Sequence, residues 1–442
     1  MIELSPEVAT ITMFIGLLIG LFMGHPLAFV LGGVATIIGF IGWGPAIMDM
    51  FVNRIFGVMD NYIIVAIPLF LFMAQVLSKA GVAEGIFETV RYMFGPVRGG
   101  VAIAVVIVST LFAACTGITG AACVSMGILA LPIMIEYKYN KKIATGCIAG
   151  SSSLGILIPP SIMLIVMAEQ SGETVGRLFA GAIIPGLILS TLFIIYVLYK
   201  CWRHPDYGPA LSAEQRASVS GKQLMKMILK GLAPPLILIL GVLGTIFAGV
   251  ATPTEAAGVG AFLSIVLMVA YGKFTWKDLY EAVLQTAKAS SMVILILCGA
   301  TCFTGVFMAL GGGDVVSSIV MAAGGKWMSF LVMMLICFVL GMFLDWIAIV
   351  MITFPIFIPI AKLLGFDILW FVVAVAVMLQ DSFNTPPFGY NLFYLKGVAP
   401  PEVSTKDIYL GAIPFWELME LGLIIVCVFP QTVTWLPSIL VK

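Results

Sequence analysis

Four long apolar runs are each interrupted by glycine or proline together with short oxygen-bearing side chains. Two interruptions read Ser-Ser-Ser-Leu-Gly at 151–155 and Asp-Ser-Phe-Asn-Thr at 381–385, and a proline pair follows each of them. The other two read Thr-Gly-Ile-Thr-Gly at 116–120 and Gly-Met-Phe-Leu-Asp at 341–345. A broken helix offers carbonyl oxygens at one end, which suit a hard cation, and N–H groups at the other, which suit an anion. These residue types therefore predict binding sites for a cation and for an anion.

The residues at and around these interruptions are the candidate ligands. The candidates for Na⁺ are Thr116, Gly117, Gly120, Ser153, Gly155, Gly341, Asp345, Asp381, Asn384, Thr385 and Pro386. The candidates for the anion are Thr116, Thr119, Ser151, Ser152, Ser153, Pro160, Ser161, Asn384, Thr385 and Asn391. Two plainer interpretations stay open: packing of Ser and Thr beside proline kinks, and N-capping by Asp345 of the helix that follows it.

The interruptions stand in register between two halves of the chain. The proline pairs at 159–160 and 386–387 lie 227 residues apart, and so do Pro132 and Pro359. Proline-broken apolar segments at corresponding positions of two halves are the best sequence pointer to the binding site of a secondary transporter. The register therefore favours ion and substrate sites over incidental kinks.

Composition restricts the class of protein. Of the 442 residues, 61% are hydrophobic and 10% are charged, and the mean hydropathy is +1.15. A soluble domain of this size needs more polar surface, and continuously apolar segments are typical of helices rather than of a transmembrane barrel. The net charge of zero gives no sign of a nucleic-acid partner. The sequence shows neither a phosphate-binding loop nor a catalytic constellation, so we predict a polytopic all-α membrane protein that is not an enzyme.

The apolar pattern predicts five crossings and one re-entrant hairpin in each half. The crossings are predicted at 8–23, 27–46, 61–79, 141–168, 178–200, 231–250, 255–271, 283–309, 366–395 and 409–437. The hairpins are predicted at 98–137 and 327–362, although each stretch could also hold two crossings. Amphipathic connectors are predicted just before them, at 82–95 and 312–324.

The distribution of positive charge supports this count. With both termini outside, most of the 22 Lys and Arg residues fall on the cytoplasmic side, as membrane insertion favours. An odd number of crossings per half inverts the second half relative to the first. We therefore predict a first inverted repeat at 1–200, a cytoplasmic linker at 201–229 and a second inverted repeat at 230–442. The linker is interpreted as a connector, with a regulatory role as the less favoured alternative.

These motifs together resemble the large membrane subunit of TRAP (tripartite ATP-independent periplasmic) transporters, the DctM-like family. The resemblance covers nearly the whole chain. The segments that carry it are 116–120, Gly-Ile-Leu-Ile-Pro-Pro-Ser at 155–161, Phe-Leu-Asp-Trp-Ile-Ala at 343–348 and Thr-Pro-Pro-Phe-Gly-Tyr-Asn-Leu-Phe at 385–393. The first tip departs from the family, which often has a serine-rich sequence where this chain has Cys-Thr-Gly-Ile-Thr-Gly.

The resemblance implies a function and a set of partners. It implies Na⁺-coupled import of a small organic anion, such as a carboxylate or a sugar acid, by an elevator mechanism. It also implies a periplasmic substrate-binding protein, a small four-helix membrane subunit as a separate chain, and a location in the bacterial inner membrane with both termini periplasmic. A stand-alone anion symporter of similar architecture, without a binding protein, is an alternative. An intramembrane enzyme is less favoured, since the sequence shows no paired catalytic carboxylates or metal set at helical spacing. A channel is less favoured, since it would need no symmetric hairpins of this kind.

Overall fold

The protein is helical throughout the part that the computed structural model describes, which is residues 4–116, 119–386 and 389–441. By length and apolar composition, nine helical stretches of these residues could cross a membrane. The α-helices are α1 (Pro6–Phe22), α2 (Leu27–Trp43), α3 (Ile47–Met59), α4 (Ala66–Lys79), α5 (Val82–Met93), α6 (Gly100–Thr116), α7 (Thr119–Glu136), α8 (Lys141–Ser152), α9 (Ile162–Ser171), α10 (Val175–Arg203), α11 (Ala213–Ala217), α12 (Gly221–Met227), α13 (Ala233–Phe247), α14 (Pro253–Ala270), α15 (Trp276–Ala309), α16 (Gly312–Ala322), α17 (Lys326–Gly341), α18 (Trp346–Leu363), α19 (Ile368–Ser382), α20 (Tyr390–Val398), α21 (Thr405–Val428) and α22 (Gln431–Leu440).

Large apolar side chains cover the outer face of these helices. Ile237, Phe262 and Leu331 are each more than half exposed in the isolated chain. In water such a surface would cause aggregation, whereas hydrocarbon solvates it and leaves the intrahelical hydrogen bonds intact. The outer surface therefore fits a lipid bilayer.

The helices of the second half repeat those of the first in order, although α15, with 34 residues, is longer than its counterpart α4, with 14. Helices α1 and α2 correspond to α13 and α14, and α4 and α5 to α15 and α16. The hairpin α6–α7 corresponds to α17–α18, the pair α8–α9 to α19–α20, and α10 to α21. The predicted hairpins and amphipathic connectors thus appear as helices close to the predicted positions.

Helices of each half pack on helices of the other half, in corresponding pairs. Helix α4 packs on α14 as α15 packs on α2, and α8 packs on α21 as α19 packs on α10. The second hairpin arm of each half packs on the second part of the broken span in the other half: α7 on α20, and α18 on α9. Two repeats related by a pseudo-twofold axis produce this exchange. The boundaries at 200 and 230 remain a prediction.

Glycines allow a close crossing between the halves, that of α8 and α21. A Cβ atom placed on Gly146 would lie 2.1 Å from the carbonyl oxygen of Gly411, and one on Gly411 would lie 2.4 Å from the carbonyl oxygen of Lys142. Small residues at helix crossings let two backbones touch, which favours van der Waals packing in a membrane. This crossing holds the first broken span against the second half of the chain.

Three predicted crossings are wrong in extent. The segment 27–46 is α2 and a short 3₁₀ turn, and the helical stretch continues beyond it through α3 to Met59. The segment 283–309 belongs to a helix of 34 residues that starts at Trp276. The segment 409–437 is two helices, because Pro430 cannot donate the hydrogen bond that would continue α21.

The first part of the linker is held in place by backbone hydrogen bonds. The amide nitrogens of Gly99 and Asn140 donate to the carbonyl oxygens of Gly208 and Tyr207, at 2.8 and 2.9 Å. The amide nitrogen of Leu211 donates to the carbonyl oxygen of Gly95 at 2.9 Å. The start of the linker is therefore fixed to the segment that precedes the first hairpin and to the start of α8.

Candidate functional site

The first broken span changes from helix to irregular backbone inside the protein. Helix α8 ends at Ser152, a 3₁₀ turn covers Ser153–Ile156, and α9 starts only at Ile162. The proline pair at 159–160 removes two N–H donors, so the helix cannot run through it. Ser161 starts α9 as its N-cap: its hydroxyl donates to the carbonyl of Ile156 and accepts from the amide of Leu164. All of 151–168 is buried, which is where irregular backbone at membrane depth is tolerated.

The second broken span has the same construction. Helix α19 ends at Ser382 and α20 begins at Tyr390. The hydroxyl of Thr385 donates to the carbonyl of Asp381 at 2.6 Å, which closes the end of α19. Gly389 starts α20 with φ of +46°, a conformation that residues with a Cβ rarely adopt. At the start of α20, the backbone N–H of Asn391 donates across the break to the carbonyl of Phe383 at 3.0 Å.

The two breaks meet around one methionine of α21. The sulfur of Met419 lies 3.9 Å from the hydroxyl of Ser153 and 3.8 Å from the amide nitrogen of Asn384. A direct bond also joins the two spans, since the side-chain amide of Asn391 donates to the carbonyl of Ala149 at 3.1 Å. The structure therefore brings together candidates from two segments that lie 227 residues apart in the sequence.

Both hairpins end on the second broken span. At the tip of the second hairpin, a Cβ atom on Gly341 would lie 2.4 Å from the Cβ of Ser382. In the first hairpin, Gly120 packs on the ring of Tyr394, and the thiol of Cys123 lies 3.3 Å from the carbonyl oxygen of Asn391. The tips and the breaks thus form one continuous site.

The candidate residues of the two breaks are nearly all buried. Ser151, Ser152 and Ser153 donate their hydroxyl protons to carbonyls three or four residues earlier, at 2.5, 2.6 and 2.7 Å, so their oxygens can bind a further ligand only as acceptors. Pro386 is the exception, because it is exposed. The remaining candidates of the two breaks that are buried are Gly155, Pro160, Ser161, Asp381, Asn384, Thr385 and Asn391.

The structure describes only some of the candidate residues at the two hairpin tips. Thr119 is buried, and Gly120 is half-buried against α20. Asp345 is the N-cap residue of α18, as the plainer interpretation expected, but its side chain makes no capping hydrogen bond. It lies close enough to Tyr390 and Tyr394 to interact with them electrostatically. Gly117 falls outside the described residues, and so does the side chain of Thr116.

Several oxygens at the site have no hydrogen-bond donor. Among the described residues, both carboxylate oxygens of Asp381 and the amide oxygens of Asn384 and Asn391 are buried and unpartnered. Buried polar atoms in native proteins are almost always satisfied, and carbonyl and carboxylate oxygens are what alkali cations bind. The residues present therefore fit a Na⁺ ion.

One polar group at the site is missing from the candidates that the sequence suggested. Glu420 lies in the middle of α21 beside Asp381 and Trp416. A carboxylate in the middle of an apolar span is a functional candidate by default, and that signal was present at 417 and 420. The sequence positions of Glu417 and Glu420 do not show which of these side chains faces the site. In the structure, Glu417 is exposed, whereas Glu420 is half-buried.

Comparison with known proteins shows the family. The model of the family described as "Tripartite ATP-independent periplasmic transporter, DctM component" matches residues 14–432. The chain belongs to this family. The predicted resemblance is thereby confirmed over almost the entire length.

Relatives of this DctM-family chain are named as transporter permeases. It is 31% identical to the C4-dicarboxylate TRAP transporter large permease protein DctM of Vibrio cholerae, covering 96% of each chain. It is 28% identical to the isethionate TRAP transporter permease protein DctMQ of Oleidesulfovibrio alaskensis, covering 93% of this chain and 63% of that one. The DctM-family chain is therefore a multi-pass membrane component of a transporter.

A solved structure shares the fold of this DctM-family protein. The crystal structure of the Alcanivorax borkumensis YdaH transporter matches with a TM-score of 0.64, covering 96% of this chain and 98% of that one. The sequence identity is 14%, so the likeness concerns the fold alone. The predicted fold class, an all-α polytopic protein with two repeats and a helical hairpin in each, is confirmed.

Proposed function

We propose that this protein is the large permease of a Na⁺-coupled transporter that imports a small organic anion by an elevator mechanism. The observation that carries the proposal is the group of buried acceptor oxygens without donors where the two breaks converge. A cation bound there would supply the missing partner. A cation that binds one conformation more tightly than the other shifts the equilibrium toward it, which is how an ion gradient drives transport.

The anion class follows from the starts of α9 and α20. Both helices begin inside the protein, at Ser161 and Gly389, so their positive dipole ends lie at the two breaks. This arrangement suits a carboxylate or a sulfonate. Two relatives are named for C4-dicarboxylates and for isethionate, and these compounds contain such groups.

The packing suggests which parts move. The hairpins and broken spans pack on one another around Met419. A second group of helices consists of two pairs, each with one helix from either half: α4 with α14, and α2 with α15. The connectors α5 and α16 join the second group to the hairpins. We propose that the first group slides along the second and that α5 and α16 follow the movement.

The proposed partners are a periplasmic substrate-binding protein and a small four-helix membrane subunit, with the complex in the bacterial inner membrane. We propose that the small subunit is a separate polypeptide here. A stand-alone symporter differs in one respect, because it would need no binding protein.

Uptake in vesicles tests this proposal. We expect the complex reconstituted with its binding protein to accumulate a radiolabelled organic anion only when Na⁺ is higher outside. The measurement compares an inward Na⁺ gradient with an equal K⁺ gradient and with omission of the binding protein. Uptake without the binding protein would support the stand-alone symporter. Uptake driven equally by K⁺ or by a pH gradient would contradict Na⁺ coupling.

The proposed orientation has a direct test. Lys222 lies exposed in α12 of the linker, which we place on the cytoplasmic side. We expect a membrane-impermeant maleimide to label Lys222→Cys only in inside-out vesicles or after permeabilisation, because charged reagents do not cross the bilayer. The native cysteines of the unchanged protein give the background. Labelling from the periplasm of intact cells would reverse the proposed topology.

A further inference from the structure

One arginine lies within an apolar span and is not part of an ion pair with a described residue. Arg54 belongs to α3, inside the stretch Leu27–Met59 that is long and apolar enough to cross a membrane. The ion pairs formed by the described residues do not include it. A Cβ atom on Gly305 would lie 3.4 Å from Nε of Arg54, so the arginine side chain reaches across to α15. A charged side chain inside a span is costly and by default marks the path of a substrate or an ion.

Arg54 lines a cavity of about 290 Å³ between the two groups of helices that are proposed to slide on each other. One wall carries Arg54 of α3 and Thr301 of α15, and α3 packs on α15, a helix of the second group. The other wall carries Val166 and Glu169 of α9 and Met351 of α18, which belong to the first group. Residues of α9 and α18 therefore pass Arg54 when the first group slides.

The starts of both moving helices lie at about the same distance from this cavity. Val166 is four residues from Ile162, where α9 begins. Met351 is five residues from Trp346, where α18 begins. At a rise of about 1.5 Å per residue, these spacings correspond to roughly 6–8 Å along the helix axes. Since α9 starts at the first break and α18 at the tip of the second hairpin, a slide of this length would bring both parts of the site level with Arg54.

The cavity lies at the end of α4 that is remote from the linker. Asn61 and Ile64, which line the cavity, precede the start of α4. Lys79, at the other end of α4, lines a separate groove together with Lys230, which directly follows the linker. With the linker on the cytoplasmic side, as proposed, the cavity is on the periplasmic side. An imported anion enters from this side.

A carboxylate of the first group occupies the same cavity in this structure. Glu169, near the end of α9, lines the cavity, and its buried Oε2 atom receives no hydrogen bond from a described residue. It is too far from Arg54 to form an ion pair. Across a cavity of low dielectric the two opposite charges still attract each other. When α9 slides toward the periplasm, Glu169 leaves the cavity, and the start of α9 with its bound anion takes its place.

We propose that Arg54 binds the transported anion while the first group is on the periplasmic side. A guanidinium presents a planar set of N–H donors that matches the two oxygens of a carboxylate. Asn53, Asn61 and Thr301 add uncharged hydrogen-bonding groups around it. This inference rests on the proposed transport of an organic anion by an elevator mechanism, and it adds the residue that selects negative charge at the periplasmic entrance. Because Arg54 belongs to the group that stays in place, its attraction is lost as the site moves inward, which favours release.

Uptake by variants of Arg54 tests the inference. The probes are radiolabelled succinate, isethionate and gluconate, offered with the binding protein to proteoliposomes under an inward Na⁺ gradient. In Arg54→Gln we expect the KM for uptake to rise roughly tenfold or more, because a charged hydrogen-bond donor to the anion is lost. Arg54→Lys keeps the charge and should recover part of this loss. Binding of the loaded binding protein to the immobilised permease should not change, and its loss would assign Arg54 to docking and overturn the inference.

Arg177→Gln is the matched control. Arg177 lies in the first turn of α10, just after the end of α9 and thus on the same side of the membrane, but its guanidinium is already paired with Glu173 at 2.8 Å. This change should leave the KM close to that of the wild type. Glu169→Gln should lower the KM, because Arg54 loses its carboxylate partner only in the present state. That opposite shift keeps the inference testable if Arg54→Gln fails to fold, and a higher KM in Glu169→Gln would contradict it.

The possible outcomes separate this inference from the proposed function. If Arg54→Gln takes up a probe with the KM and the Na⁺ dependence of the wild type, the inference is wrong while the proposed function stands. If the wild type accumulates none of the three anions in response to a Na⁺ gradient, the proposed function fails, and the inference fails with it. If Arg54→Lys and Arg54→Gln lose uptake equally and both melt at a lower temperature, Arg54 is structural and the inference is wrong.

Discussion

Replacing Gly341 with alanine should reduce Na⁺-dependent uptake by roughly two orders of magnitude while the protein still folds. The added methyl group would lie 2.4 Å from the Cβ of Ser382, an atom that cannot move without its backbone. The tip of the second hairpin would therefore shift away from the end of α19. Misplacing a functional group by about 1 Å can cost 10²-fold in rate, and carbonyl ligands for an ion depend on position in the same way.

Alanine at Gly397 is the matched control for that experiment. Gly397 also lies in a helix of the site, α20, but a Cβ atom there would have no neighbour within 4 Å among the described residues. The change should leave uptake close to the wild-type rate. The measurement is the initial rate of anion uptake against Na⁺ concentration for both variants, with the amount of folded protein checked by size-exclusion chromatography. Equal rates for Gly341→Ala and wild type would show that the contact between tip and α19 is unimportant for transport.

The breaks themselves were predictable because their cause is local. The pair at 159–160 removes two successive N–H donors from the backbone, and Ser161 caps α9 by a bond to a residue three positions later. The repeat could be predicted for a similar reason, since the spacing of 227 residues can be read from the sequence alone. Features that depend on a few neighbouring residues are visible in the order of the amino acids.

The convergence of the breaks was not predictable because its cause is tertiary. Met419 contacts Ser153 and Asn384 only because α21 crosses α8 and packs on α19. In the sequence, Met419 is one of 25 methionines, and nothing distinguishes it from the others. The side of α21 that Glu420 occupies was equally hidden. A single chain shows that a carboxylate lies within a span but not which helix it faces.

The ends of the long helices were predicted incorrectly for a different reason. The pattern around 409–437 is apolar on both sides of Phe429 and Pro430, so hydropathy predicts one crossing where the structure has two helices. The extension of α15 toward Trp276 is amphipathic and lies outside the apolar window. Hydropathy reports where a chain can be in lipid, and it does not report where a helix begins or ends.

Replacing Gly146 with alanine should destabilise the whole protein and abolish uptake. The methyl group would lie 2.1 Å from the carbonyl oxygen of Gly411 and 2.8 Å from the ring of Phe415. To restore van der Waals contact, the backbones of α8 and α21 would have to separate by roughly 1 Å. Overpacking of this kind typically costs about 1–3 kcal/mol, and a clash with backbone belongs at the upper end.

Moving α8 and α21 apart would also disturb the functional site. Helix α8 ends in Ser152 and leads directly to Ser153, while α21 carries Met419, so moving the two helices apart pulls the first break away from the second. Fluorescence-detected thermal unfolding and vesicle uptake should therefore fall together in Gly146→Ala. Gly244→Ala is the control, since a Cβ atom there would meet no atom of the described chain within 4 Å and alanine favours the helix by about 1 kcal/mol. If Gly146→Ala were as stable and as active as Gly244→Ala, the close crossing of α8 and α21 would not be what holds the two breaks together.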